Sequence, residues 1–116
     1  MKRLLIVDDD LEISRRLSAL LEDRYEVIRA TTGFEALAEL THAPFDLVLL
    51  DLRMPGLDGR GFLHEMRRRN EHAPVIVLSA DPNVGRAARD MGVGDYLQKP
   101  FDVEALEALI ATRIGV

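Results

Sequence analysis

The chain has no cysteine and no tryptophan, and only four Phe and two Tyr among its 116 residues. Without cysteine there is no disulfide, no zinc–thiolate site and no thiol nucleophile. It also lacks any apolar run near the ~20 residues that a bilayer-spanning helix needs. The opening Met1-Lys2-Arg3-Leu4-Leu5-Ile6-Val7 starts like a leader, but Asp8, Asp9 and Asp10 stop its apolar run after four residues, too short for the core of a signal peptide. A cytoplasmic location and no membrane partner are therefore expected. Excess positive charge is missing too: 15 Lys and Arg against 20 Asp and Glu leave a net charge of −5. That argues against a nucleic-acid-binding face, because phosphate contacts need a basic surface. Arg67-Arg68-Arg69 is the one basic run, and it reads as a solvated helix end.

What is present is a globular balance, 47% hydrophobic and 30% charged. A chain of this size buries roughly 60–70% of its unfolded surface, enough for one core. One domain over residues 1–116 is the expectation. Leu4-Leu5-Ile6-Val7, Leu47-Val48-Leu49-Leu50 and Val75-Ile76-Val77-Leu78 are continuous apolar runs without alternation, the mark of strands buried on both faces. Val27-Ile28-Arg29-Ala30 and Tyr96-Leu97 read as weaker strands nearer the sheet edges. Helical patterns lie between them. Ile13, Leu17, Leu20 and Leu21 mark the first. Phe34, Leu37 and Leu40 mark the second, with Thr32 as its N-cap. Phe62, Leu63 and Met66 mark the third, Val84 to Met91 forms a short fourth, and Val103, Leu106, Leu109, Ile110 and Ile114 mark the fifth, capped by Asp102. A strand–helix unit repeated five times predicts an α/β fold, a doubly wound parallel sheet covered by helices on both faces.

In such folds ligands bind beyond the carboxyl ends of the strands, where the strand order reverses. Asp8 and Asp9 follow the first run, Asp51 the third, Ser79 the fourth and Lys99 the fifth, with Pro100 next. Every polar residue suited to phosphate chemistry thus falls at one end of the sheet. With the flavodoxin-like order 2-1-3-4-5, Asp8, Asp9 and Asp51 converge. Three neighbouring carboxylates repel, and a divalent cation resolves that repulsion. Mg2+ suits the set, as a hard cation that takes oxygen ligands, keeps waters and binds one or two carboxylates plus a phosphate. Lys99 adds positive charge for phosphate oxygens and Ser79 a hydrogen bond. A carboxylate can itself accept a phosphoryl group. Neither a histidine nor a further free carboxylate is placed as a general base, which favours an acid that is phosphorylated over an enzyme that turns over many substrates.

These residues resemble the receiver (CheY-like) domain of two-component response regulators. The resemblance is carried by Leu5-Ile6-Val7-Asp8-Asp9-Asp10, by Asp51-Leu52-Arg53-Met54-Pro55-Gly56-Leu57-Asp58-Gly59, by Ser79-Ala80 and by Gly94-Asp95-Tyr96-Leu97-Gln98-Lys99-Pro100-Phe101. Gly33-Phe34-Glu35-Ala36-Leu37 fits the start of the family's second helix. The match covers essentially the whole chain. It implies that Asp51 accepts a phosphoryl group from a phosphohistidine on a sensor histidine kinase or a histidine phosphotransfer protein. It implies Mg2+ on Asp8, Asp9, Asp51 and the backbone carbonyl of Arg53, with Ser79 and Lys99 on the phosphoryl oxygens. Tyr96 becomes the rotating aromatic that follows Ser79, and the Lys99-Pro100 bond is cis. Phosphorylation then changes the face made by the fourth helix, fifth strand and fifth helix, for a downstream protein, the chain acting as a monomer or as a phosphorylation-dependent dimer.

Plainer roles stand beside these. Asp10 and Asp58 suit helix N-caps better than metal ligands. Ser79 fits a turn before Asp81-Pro82, Tyr96 a packed edge aromatic, and Pro100 a strand terminator. His42, His64 and His72 lie away from the strand ends and receive no chemistry. Arg53 and Asp81 each lie two residues beyond a site residue, Asp51 and Ser79. Their side chains are expected to pair over the phosphoryl group and screen it from water. The chain departs from the family in the stretch between Ser79 and Lys99, which is a residue or two short, and Pro82, Gly85 and Gly92 there all weaken a helix. Val93-Gly94 also stands where an Ala-Asp pair is common. Two other functions compete. A phosphorylation-independent docking module of the same fold would be expected to have lost Asp51, Lys99 or the acid pair. An aspartate-nucleophile phosphohydrolase would need a cap region for which this chain has no room.

Overall fold

The three continuous apolar runs and the two weaker ones become five parallel strands. β1 is Arg3–Val7, β2 Glu26–Ala30, β3 Leu47–Asp51, β4 Val75–Ser79 and β5 Asp95–Gln98. They form one sheet in the order β2-β1-β3-β4-β5 in this computed structural model, which describes residues 1–115. The helices are α1 Leu11–Leu21, α2 Gly33–His42, α3 Gly59–Arg68, α4 Val84–Asp90 and α5 Val103–Ile114. The (βα)5 doubly wound architecture expected from the alternation is the one observed.

Period-two alternation explains why the cores of β1, β3 and β4 carry no polar residue: each face of the sheet has its own apolar layer to meet. Leu5, Val7, Val48, Leu50 and Val77 point to one side, where Ala36, Leu37 and Leu40 of α2, Phe62, Leu63 and Met66 of α3, and Val84 and Ala88 of α4 close over them. Leu4, Ile6, Leu47, Leu49, Ile76 and Leu78 point to the other, against Leu17 and Leu21 of α1 and Leu106 and Ile110 of α5. No helix is long and apolar enough to cross a membrane among the described residues.

Capping sets most helix ends. Asp10 accepts from the N–H groups of Glu12 and Ile13, Thr32 from Glu35, and Asp58 from Gly61. Asp102 holds the N-cap position of α5 without a side-chain hydrogen bond, so its expected cap is positional only. Two apolar residues assigned to helix inner faces lie outside: Leu20 is 47% exposed and Phe34 66%. The buried stripe of α2 runs through Gly33, Ala36, Leu37 and Leu40, and Phe34 lies off it.

Gly92 does not weaken α4; it closes it. Its φ of +72° follows the C-cap Met91, and the N–H groups of Gly92 and Val93 return to the carbonyls of Arg89 and Ala88. This is a Schellman closure, which favours glycine. Asn70 (φ 60°) ends α3 the same way, its N–H and that of Glu71 bonding Arg67 and Met66 carbonyls. The basic run there is more than a solvated end: Arg67 donates to the carbonyls of Met91 and Gly92, and Arg69 to that of Leu37.

Candidate acid site at the strand ends

Strand register assembles the site. β1 and β3 pair Leu4 with Leu47 and Val7 with Leu50, so one more step along both strands sets Asp8 beside Asp51. Asp8 shares its face with Leu4 and Ile6, and Asp51 with Leu47 and Leu49, so both carboxylates leave the same side of the sheet. Asp8 is 2% exposed and Asp51 7%, whereas Asp9 is exposed. Each of the three can offer one carboxylate oxygen within 4.8 Å of the others.

Lys99 reaches this cluster from just beyond β5. Its ammonium lies 2.9 Å from Asp8 Oδ2 and 3.6 Å from Asp51 Oδ1. The Lys99 N–H also donates to the Ser79 carbonyl at 2.7 Å, which ties the end of β5 to the end of β4. The Lys99-Pro100 peptide is cis, as the resemblance implies. Asp8 Oδ1 accepts from the Asp10 N–H at 2.9 Å, so Asp10 braces the site with its backbone while its side chain caps α1.

Burial, reinforced by Asp8 and Asp9, pushes the Asp51 carboxyl up to about 6, against the opposing pull of Lys99 and the Arg53 N–H. One ammonium among three carboxylates leaves an excess of negative charge. All the side-chain donors that remain are hard oxygens, so the set fits Mg2+ rather than a soft metal. The receiver resemblance implies Mg2+ at an acidic pocket of this kind.

Ser79 is buried, 1% exposed, and its hydroxyl oxygen accepts the Asp81 N–H at 3.1 Å. The turn role and a place at the strand end therefore coexist in one residue. Arg53 and Asp81 do meet: the guanidinium donates to Asp81 Oδ2 at 3.2 Å. The Asn83 N–H and then Arg53 hold the Asp81 carboxyl below its usual range. Tyr96 points outward and is 45% exposed. What the sequence did not signal is its neighbour, since the ring lies over Gly85 of α4. A glycine read only for its helix propensity gives no hint of what crosses it.

With this geometry in hand, the likeness to known proteins is specific. The family described as the response regulator receiver domain matches residues 4–111. The response regulator protein FleR of Pseudomonas aeruginosa is 38% identical over 112 residues, which are 94% of this chain and 24% of FleR. The structure of Vibrio cholerae chemotaxis protein CheY4 superposes with a TM-score of 0.88 at 31% identity, covering 97% of this chain and 98% of that one. That of response regulator TrrA from Thermotoga maritima, solved in complex with Mg2+–BeF, gives 0.85 at 33% identity, covering 97% and 98%. The chain spans about a quarter of the length of FleR, and 12% and 52% of two other curated relatives it matches.

Proposed function

The chain belongs to the response regulator receiver family, signalling modules rather than classical enzymes, and from that premise we propose that residues 1–116 act as one phospho-accepting switch whose acceptor is Asp51. One observation carries the reading: Asp51 is buried at a strand end between Asp8 and a lysine whose ammonium contacts both carboxylates. The Asp51 oxygen attacks the phosphorus of a phosphohistidine, the N–P bond breaks, and the imidazole leaves with the electron pair. Asp8, Asp9, Asp51 and the Arg53 carbonyl would hold Mg2+, which would supply charge neutralisation for the incoming phosphoryl oxygens. Lys99 neutralises a further oxygen, for which its ammonium has to turn from Asp8 toward the phosphoryl group. The Ser79 hydroxyl, whose oxygen accepts from the Asp81 N–H, donates its own proton to another. Because no imidazole or free carboxylate among the described residues stands by as a general base, hydrolysis is slow beside transfer. The Arg53–Asp81 pair screens the phosphoryl group from water.

Phosphorylation shifts a two-state equilibrium, and it does so only by its differential affinity for the two states. Ser79 moves toward the phosphoryl group, Tyr96 follows, and the surface of α4, β5 and α5 changes for a protein partner. The donor is a sensor histidine kinase or a histidine phosphotransfer protein in the cytoplasm, and the active form is a monomer or a phosphorylation-dependent dimer. The net charge of −5 supports a protein partner over direct contact with nucleic acid.

The test is intact-protein mass after incubation with acetyl phosphate, with and without Mg2+, and with Asp51→Asn as control. The expected result is a Mg2+-dependent gain of one phosphoryl group that the variant lacks. No gain, together with no binding of beryllofluoride, would replace this reading with a phosphorylation-independent docking module.

A further inference from the structure

α4 is a poor helix by its sequence. It is seven residues long, Asn83 at its N-cap makes no side-chain cap bond, and only Val84 and Ala88 are buried. Gly85 in its first turn costs a helix up to ~1 kcal/mol relative to alanine. Its φ is not in the left-handed region, so backbone conformation does not require glycine there. Close approach does. A Cβ on Gly85 would stand 2.8 Å from Tyr96 Cζ, 2.9 Å from the Tyr96 hydroxyl oxygen and 3.1 Å from Cε2. Real Cβ atoms do not come so near. The atoms in the way are the far end of a side chain and not backbone, so an added methyl displaces the phenol ring and leaves the helix in place.

We propose that Gly85 is a positioning residue for Tyr96: its bare Cα is the seat that holds the ring outward, and the missing side chain sets the resting equilibrium of the switch. The inference rests on the reading of Tyr96 as the residue that follows Ser79. An outward ring on an open seat favours the unphosphorylated state. Filling the seat removes that preference, so less of the phosphoryl group's differential affinity is spent on displacing the ring, and ligand binds more tightly.

With only two tyrosines in the chain, 3-fluorotyrosine labelling gives two fluorine resonances, and Tyr25→Phe assigns them. Tyr25 is buried and donates to the Gly115 carbonyl, away from the acid site. In the wild-type protein, Mg2+ with beryllofluoride should move the Tyr96 resonance. In Gly85→Ala the ligand-free Tyr96 resonance should already lie part-way to the loaded position. The beryllofluoride midpoint should fall roughly threefold to tenfold. In a Tyr96→Ala background, Gly85→Ala should leave the midpoint unchanged, whereas a general strengthening of the helix would still shift it. An unchanged midpoint in Gly85→Ala, while wild-type Tyr96 responds to loading, overturns the seat alone. A wild-type Tyr96 resonance that ignores saturating beryllofluoride overturns the switch reading, and the seat falls with it.

Discussion

Asp51 shows how one side chain carries opposed demands. An unfolded aspartate titrates near ~3.9, whereas burial first, and Asp8 and Asp9 next, raise Asp51 to about 6 in the fold. Between these values the native state binds more protons than the unfolded one, so stability falls as pH rises through that window. Above about pH 6 the full cost of the buried charge is present. Asp51→Asn should therefore be more stable than wild type in EDTA at neutral pH, by at most ~3 kcal/mol. The advantage should vanish below about pH 4, where both forms are neutral. Urea melts of the two proteins across that range check this, and a constant difference would contradict it. Arg53 gives a second residue-scale prediction. Its guanidinium is held by Asp81 at the mouth of the site. Arg53→Ala should shorten the lifetime of the phosphorylated form by roughly threefold to tenfold, about 1 kcal/mol of barrier. An unchanged half-life would remove the screen from the mechanism.

Among the elements, the three long apolar runs were plain in the sequence because a parallel strand between two helical layers has no polar side to disguise it. The helices were less legible. A single stripe of apolar residues does not say where the stripe begins, so the pattern places Phe34 and Leu20 inward although both lie exposed. Helix propensity alone makes Gly92 a weak point, whereas its position just after Met91 makes it the closing residue. Asp10 illustrates the reverse case, a side chain whose cap role was foreseen from its place before Leu11. Asp10→Ala should lower stability by ~1 kcal/mol through loss of that cap while still accepting one phosphoryl group. Loss of phosphorylation in a folded Asp10→Ala protein would instead make it a ligand. α4 is expected to be the least protected helix in amide exchange, since it has seven residues, no side-chain cap and two buried side chains. Protection there equal to α3 would be the contrary finding.

For the molecule as a whole, the site was legible because strand order turned separate motifs into one place. The offset that pairs Leu4 with Leu47 also pairs Asp8 with Asp51, so the acid pair follows from register once the strands are known. The seat under Tyr96 was not legible, because it depends on how close α4 comes to β5, and nothing in the sequence states that distance. The same convergence would make the proposed metal binding a stability term. A ligand that binds only the folded state stabilises it by about 2.7 kcal/mol at 100 times its Kd. Saturating Mg2+ should accordingly raise the melting temperature of wild type and leave Asp51→Asn nearly unmoved. Equal shifts in the two proteins would place the ion elsewhere.

The strand ends that build the site come from both halves of the chain: Asp8, Asp9 and Asp51 precede the connection between α3 and β4, and Ser79 and Lys99 follow it. A chain cut in that connection would divide the proposed acceptor and metal ligands from the groups proposed to neutralise the phosphate. Neither fragment alone would hold a working centre, and full uptake of phosphate would return only when the pieces found each other again. If Asp51 is the acceptor proposed above, covalent phosphate on it would be a record of complementation between the two halves, readable by mass in a mixture where circular dichroism would average over everything present.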